Sequence, residues 1–198
     1  FSRSLGKAVL ASASPNALHL VDPGAATDVS IALPAAVKAL NLSADGLYAV
    51  VLHEGAVSLI DLTAAQLLRS SAAGGSPSDA FVSNAGLVYL VGQTGGQWVT
   101  PGFTVIDGRA GTVLQAYDAF AAIYGTTRGV FAEGLHKIFT LSEGLSPADV
   151  YATTVDPASA LLLTTVDSPY HGDYNMGNPM WLSANADLLF TATGNYFR

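Results

Sequence analysis

The chain has 198 residues; half are hydrophobic, 12% are charged, and 8 Lys and Arg stand against 15 Asp and Glu for a net charge of −7. So few cations leave no basic stripe for a nucleic-acid backbone or an anionic membrane surface, and no apolar run reaches the roughly 18 residues that cross a bilayer, so neither nucleic acid nor membrane insertion is expected. High hydrophobicity at low charge excludes disorder, and the absence of Cys excludes disulfide frameworks and thiolate metal sites.

Taken in chain order, the pattern is one of short strands joined by tight turns. A hydrophobic-Ser step at Phe1-Ser2 leads into Lys7–Leu10, followed by the apolar run Leu18-His19-Leu20-Val21-Asp22. A second set follows at Val37–Leu42, Leu47–Leu52, Ala56–Leu62 and Gln66–Ser71, with Ala44-Asp45-Gly46 as a tight hairpin turn. A third set occupies Ala80–Ser83, Leu87–Gly92, Phe103–Asp107 and Thr112–Tyr117. The fourth is Gly129–Ala132, Leu135–Leu141, Val150–Val155 and Ala160–Val166. Met180–Ser183 and Leu188–Thr193 begin a fifth, and the chain ends within the hairpin that leads to its third strand.

Two landmarks keep this register. The apolar runs end in Asp22, Asp61, Asp107 and Asp156, and the hydrophobic-Ser step recurs at Leu42-Ser43, Val82-Ser83 and Leu182-Ser183. A strand-built repeat of about 40–50 residues is the signature of a β-propeller with one blade per repeat. The expected fold is all-β: four-stranded antiparallel blades at about 1–35, 36–79, 80–126, 127–178 and 179–198, three complete and flanked by two partial ones. They make a single propeller domain or a fragment of a longer chain. Joining the first and last repeats into one blade gives a closed five-bladed ring; otherwise the remainder of its own propeller, or another copy, completes it.

The residues Ser58-Leu59-Ile60-Asp61, Leu67-Leu68, Gly75-Ser76-Pro77, Phe81-Val82-Ser83 and Gly86-Leu87-Val88-Tyr89-Leu90 resemble the YVTN-type repeat of bacterial and archaeal surface-layer and secreted propellers. Lactonase-like enzymes are relatives of that family. The resemblance is clear in repeats two and three and blurred in the fourth by longer loops. It implies a secreted, periplasmic or cell-surface bacterial protein. A low Lys content and Ser/Thr/Gly/Ala-rich strands point the same way. The motif specifies architecture, not activity, because one fold hosts many unrelated functions.

The recurrent Asp22, Asp61, Asp107 and Asp156 are read as turn residues whose carboxylates accept backbone N–H bonds. Antiparallel order puts every long connection at one end of the blades: Ser70–Asp79, Gln93–Gly102, Asp118–Thr127, Ser142–Asp149 and Asp167–Pro179. Ligand-binding residues are expected there. The richest segment offers Tyr170, His171, Asp173, Tyr174, Asn175 and Trp181, and Trp98 lies on a second loop of the same face. Rings of these types stack on sugars or anchor a protein partner. His53, at the same end, could join His171 and Asp173 around a divalent metal; no other cofactor is implied. No nucleophile elbow, phosphate loop or dinucleotide fingerprint is present. The expected function is a non-catalytic binding or structural module with a protein, glycan or matrix ligand on the long-loop face. The alternative is part of a lactonase-like hydrolase with a metal or acid/base site there.

Overall fold

The computed structural model describes residues 1–94, 99–119, 122–144, 148–170 and 172–198. Among these residues the strands form five antiparallel sheets, three of four strands and two of three. The fold is the β-propeller blade arrangement: consecutive strands pair with consecutive neighbours in every sheet. Two compact units divide the chain, one made of Phe1–Ser76, Ala80–Tyr89 and Ile106–Val113, the other of Pro77–Asp79, Leu90–Val105 and Leu114–Arg198.

In the first unit, β1 (Ala8–Ala13), β2 (Asn16–Asp22) and β3 (Thr27–Ala32) form the first sheet, and Ser2 bridges to Lys7 just ahead of it. The second sheet is β4 (Ala39–Leu42), β5 (Tyr48–Leu52), β6 (Ala56–Asp61) and β7 (Gln66–Ala72). Its middle strands are apolar on both faces because both faces are covered. Leu18, Leu20, Ile31 and Leu33 of the first sheet pack on Ala49, Val51, Ile60 and Leu62 of the second. The opposite face of the second sheet carries Asn41, Val50 and Leu59, which stand side by side across β4, β5 and β6. Asn41 donates its side-chain N–H to Ala80 O at 2.8 Å, and Leu59 lies against Gly86 and Gly108. This face therefore meets the third sheet.

The third sheet runs β8 (Asp79–Val82), β9 (Leu87–Val91), β10 (Phe103–Asp107) and β11 (Val113–Tyr117), and its strands are shared between the two units. The second unit holds the fourth sheet, β12 (Thr127–Ala132), β13 (Lys137–Ser142), β14 (Val150–Val155) and β15 (Leu162–Asp167). It also holds the fifth, β16 (Met180–Leu182), β17 (Leu189–Thr191) and β18 (Tyr196–Phe197). Leu141, Val150, Met176, Met180 and Leu189 form the core between these two sheets.

Two details differ from the sequence pattern. β13 begins at Lys137 and not at Leu135, because Glu133–Leu135 form a 3₁₀ turn closed by His136 in the left-handed region at φ 52°. The fifth sheet also does not stop at two strands. Gly194 (φ 88°) makes a tight turn in which Gly194 N–H bonds Thr191 O at 3.1 Å and Thr191 N–H bonds Asn195 O at 3.0 Å. That turn lays Tyr196–Phe197 against β17.

The four Asp at the ends of β2, β6, β10 and the strand before Pro157 share one geometry. Asp22, Asp61 and Asp107 each accept two successive backbone N–H bonds on Oδ1, all at 2.9 Å. Asp156 accepts Ala158 N–H and the Ser159 hydroxyl, both at 2.9 Å, and these bonds hold its carboxyl below the usual range. Four residues after each Asp the chain turns left-handed, at Ala26, Ala65, Gly111 and Ala160.

Candidate functional site

The connection from β15 to β16 is held at both ends by side chains. Ser168 N–H bonds Val150 O at 3.0 Å and its hydroxyl reaches Asp149 Oδ1 at 2.6 Å. At the far end Asn178 donates to Leu141 O at 3.0 Å, and Ala192 N–H bonds Gly177 O at 3.0 Å. Between these anchors Asp173 N–H closes a turn onto Tyr170 O at 3.0 Å. Asn175 offers its carbonyl to the Thr193 hydroxyl at 2.5 Å and to the Asn195 amide at 2.6 Å, so the connection is tied to the β17–β18 turn.

This tethering builds an aromatic triangle. Tyr170 and Phe197 lie 5.3 Å apart between ring centroids, Tyr170 and Tyr174 5.5 Å, and Tyr174 and Phe197 5.6 Å. The two edge-to-face pairs have the geometry favoured by ring quadrupoles. Tyr170 and Tyr174 are 38% and 47% exposed. Tyr170 and Phe197 also wall a cavity of about 270 Å³ between the fourth and fifth sheets, floored by Phe139, Val150, Met176 and Leu189. Charges lie at its margin: Lys137, Asp167, Asp187 and Arg198. The Ser183 hydroxyl, at 2.6 Å, holds the Asp187 carboxyl below its ordinary value, with help from Asn185. Tyr151, cross-strand partner of Asp167, has its phenol pushed up to about 12 by burial and by the carboxylates of Asp167 and Asp149. The site can thus take an apolar or aromatic group into its floor, with anionic and cationic positions at the rim.

Of the sequence candidates, the structure brings Tyr170 and Tyr174 together. Asp173 and Asn175 lie exposed on the same connection, Asn175 engaged through its backbone. Trp181 is on β16 and does not join them. Met180 and Leu182 face the cavity side, so strand alternation turns Trp181 to the other face, where it pairs with Phe190 and is 51% exposed. Trp98 and His171 lie outside the described residues. His53, in the first unit, is fully buried. Its Nδ1 lies 3.1 Å from Ala36 O and its Nε2 2.9 Å from the Ser58 hydroxyl, which in turn meets Ser70 at 2.7 Å. A neutral imidazole donating from Nδ1 and accepting at Nε2 satisfies both contacts. Among the described residues no three His, Asp or Glu converge as a metal-binding group.

One recurrent feature escapes a reading of apolar runs. The residue three before each turn Asp is His19, Ser58, Thr104 or Thr153. Ser58 belongs to the His53–Ser58–Ser70 chain, and Thr153 bonds Thr165 at 2.9 Å. His19 bonds Ser12 at 3.0 Å through Nε2 and Asp28 at 2.8 Å through Nδ1. Each is a polar link across the strands of one blade. The signal is a polar residue at a fixed place in each run. Phe197 and the cavity floor carried no such signal, because they depend on how β18 pairs.

No family model and no curated protein matches this sequence. Solved structures do. The fold is shared with a dihydro-heme d1 dehydrogenase, NirN, solved with DHE bound (TM-score 0.65, 14% identity, covering 100% of this chain and 44% of that one). It is shared too with hydrazine synthase of Kuenenia stuttgartiensis (TM-score 0.59, 17% identity, 87% and 48%). Hsv2 of Kluyvelomyces marxianus is a third (TM-score 0.57, 15% identity, 96% and 55%). These likenesses establish a β-propeller, a fold that serves both enzymes and interaction modules. The chain spans about half the length of these proteins.

Proposed function

We propose that this chain is a non-catalytic propeller module of an exported or cell-surface bacterial protein, and that it binds a protein segment at the β15–β16 connection. The observation that carries this reading is the pair Tyr170 and Phe197 lining an apolar cavity of about 270 Å³, with Tyr174 packed against both rings. Tyr rings supply large, rigid contact area at small entropic loss, and a pocket beside them takes an anchoring side chain. The charged margin of Lys137, Asp167, Asp187 and Arg198 fixes direction and suppresses wrong partners more than it adds affinity.

The test is a displayed library of random 12-residue peptides, panned on the chain and measured by fluorescence anisotropy. Selected peptides should carry an aromatic or large aliphatic anchor. Their affinity should fall about tenfold or more for Tyr170→Ala, the scale of a lost interface anchor. Equal affinity for the chain and for Tyr170→Ala refutes this placement of the site. Hydrolysis of a lactone or ester substrate that disappears in His171→Ala refutes the non-catalytic reading.

A further inference from the structure

The stretch Leu161-Leu162-Leu163-Thr164-Thr165-Val166 holds no charge, no Pro and no Gly, and half of it is β-branched. A segment of this length and composition, placed on a sheet edge, is a template for the addition of another strand. All of it after Leu161 lies in β15, which ends its sheet's order β12-β13-β14-β15. Leu163 and Val166 are 53% and 56% exposed. β3, β7 and β11 end their sheets in the same way. β3 carries Asp28 and β7 carries Arg69, charges of the kind that keep edges from pairing. β11, which reads Val113-Leu114-Gln115-Ala116-Tyr117, carries none.

The two edges without a gatekeeping charge are tied to each other. The Gln115 carboxamide donates from Nε2 to Leu162 O at 2.9 Å and accepts Leu162 N–H on Oε1 at 2.8 Å. Val155 stands opposite Leu162 and directs its own N–H to His136 O at 2.8 Å, on the β13 side. By the alternation of an antiparallel ladder, Leu162 then presents its backbone N–H and C=O away from β14, on the edge of the sheet. One side-chain amide thus makes the two bonds that an added strand would make at this residue. The Thr165 hydroxyl donates to Tyr117 Oη at 3.3 Å, a second point of contact between the same two strands. Leu162 is 3% exposed, so its peptide groups are poorly reached by water and are costly to leave without partners.

We propose that Gln115 is an edge cap: its carboxamide occupies the strand-addition site at Leu162 and keeps β15 from pairing with the same edge of a second copy. It does for β15 what Asp28 and Arg69 do for β3 and β7. A carboxamide suits the task because it is a peptide group on a flexible stem, with a donor and an acceptor side by side to match one N–H and one C=O. A carboxylate at this position would lack the donor, and an aliphatic side chain would lack both. The cap leaves the exposed Leu163 and Val166 in place, so the sequence keeps an aggregation-prone strand whose backbone is blocked at one residue.

Gln115→Met keeps the length and apolar stem of the side chain and deletes both bonds. Hydrogen exchange followed by NMR should show the Leu162 amide exchanging faster in this variant than in the native chain. Sedimentation velocity and thioflavin T fluorescence at about 100 µM should show association beyond that of the native chain. Gln115→Asn, the same amide on a shorter stem, is the milder lesion and should show both changes more weakly. Adding Thr164→Lys to Gln115→Met puts a charge on an exposed residue of the same edge and should return association to the native level. Asp61→Ala weakens a turn in a different sheet and serves as the control for lowered stability; it should associate no more than the native chain. The proposal is overturned if the Gln115 variants associate no more than Asp61→Ala. It is equally overturned if Thr164→Lys leaves the association unchanged, or if the Leu162 amide exchanges at the native rate in both Gln115 variants.

Discussion

Gly92 and Gly55 have nearly the same backbone, at φ 70° and 71°, in entirely different surroundings. A Cβ on Gly55 meets nothing within 4 Å. A Cβ on Gly92 would overlap the Ser78 hydroxyl oxygen, lie 2.8 Å from Gly125 O and 3.1 Å from Thr127 Cβ. The overlap is with a fixed group. Ser78 Oγ accepts Thr127 N–H at 2.9 Å and lies 2.7 Å from Thr127 O and 3.1 Å from Val91 O, which pins the start of β12 to the end of β9. Gly55→Ala should therefore incur only the left-handed penalty of about 1–2 kcal/mol, less the few tenths to 1 kcal/mol gained from a stiffer unfolded chain. The net loss is about 1 kcal/mol. Gly92→Ala carries the same term, a further 1–3 kcal/mol of overpacking, and about 1–3 kcal/mol for displacing a buried hydroxyl from its partners. The expected loss is about 3–7 kcal/mol. Equilibrium urea unfolding followed by fluorescence and circular dichroism measures both. Because the overlap centres on Oγ, the double variant Gly92→Ala/Ser78→Ala should lose clearly less than the sum of the singles. Equal losses for Gly92→Ala and Gly55→Ala, or strict additivity in the cycle, would refute the packing argument and leave only the dihedral term.

The turns that end each blade's third strand give predictions of opposite sign. Asp61→Ala removes the carboxylate oxygen that accepts two backbone N–H bonds at 2.9 Å and should lower the stability read from urea unfolding by about 0.5–1 kcal/mol, since water replaces part of what is lost. Ala26→Gly frees an exposed left-handed residue at φ 52°, where the third sheet already uses Gly111, and should raise stability by about 0.5 kcal/mol. Tyr151, with its phenol raised to about 12, favours the neutral form in the folded state. Its contribution is fully present below about pH 10 and is lost as pH climbs through about 12. Absorbance at 295 nm should show one late-titrating tyrosine that is missing in Tyr151→Phe, and the alkaline unfolding midpoint of that variant should move upward.

How much of this was legible follows from the length of pattern each feature leaves. Strands such as Ala56–Asp61 are visible because apolar residues crowd both parities, and a closing Asp followed by small residues marks the turn. β18 was not legible. Two residues carry no alternation, and only the register of β17 tells Tyr196 and Phe197 apart. Trp181 shows the same limit from the other side. Its position just after Pro179 associates it with Tyr170 and Tyr174 in the sequence. One strand residue of parity decides that it faces away from them, and a one-residue change of parity always exchanges faces. The candidate site was thus readable in its residue types and unreadable in its partners, because Phe197 reaches Tyr170 through sheet pairing that no local signal encodes.

The polar position three before each turn Asp shows where chemistry is available in this chain and where it is not. A hydroxyl or imidazole inside a stack of sheets must find a partner, because an unmade hydrogen bond there costs about 1–3 kcal/mol. Ser58 finds His53 and Ser70, and Thr153 finds Thr165, each along its own blade. The Ser12–His19–Asp28 chain has the connectivity of a hydrolytic triad, yet it occupies the same blade position, and the Ser12 hydroxyl also lies 2.7 Å from Pro15 O. A proton spent on that carbonyl is not available to the imidazole, which leaves Ser12 as an acceptor and not an activated nucleophile. The link is a blade-stiffening device carried into the first sheet, where the His19 and Asp28 side chains are 24% and 50% exposed. Groups free to meet a ligand are then those that the blades do not need for themselves, and the exposed rings of Tyr170 and Tyr174 on the β15–β16 connection are of that kind.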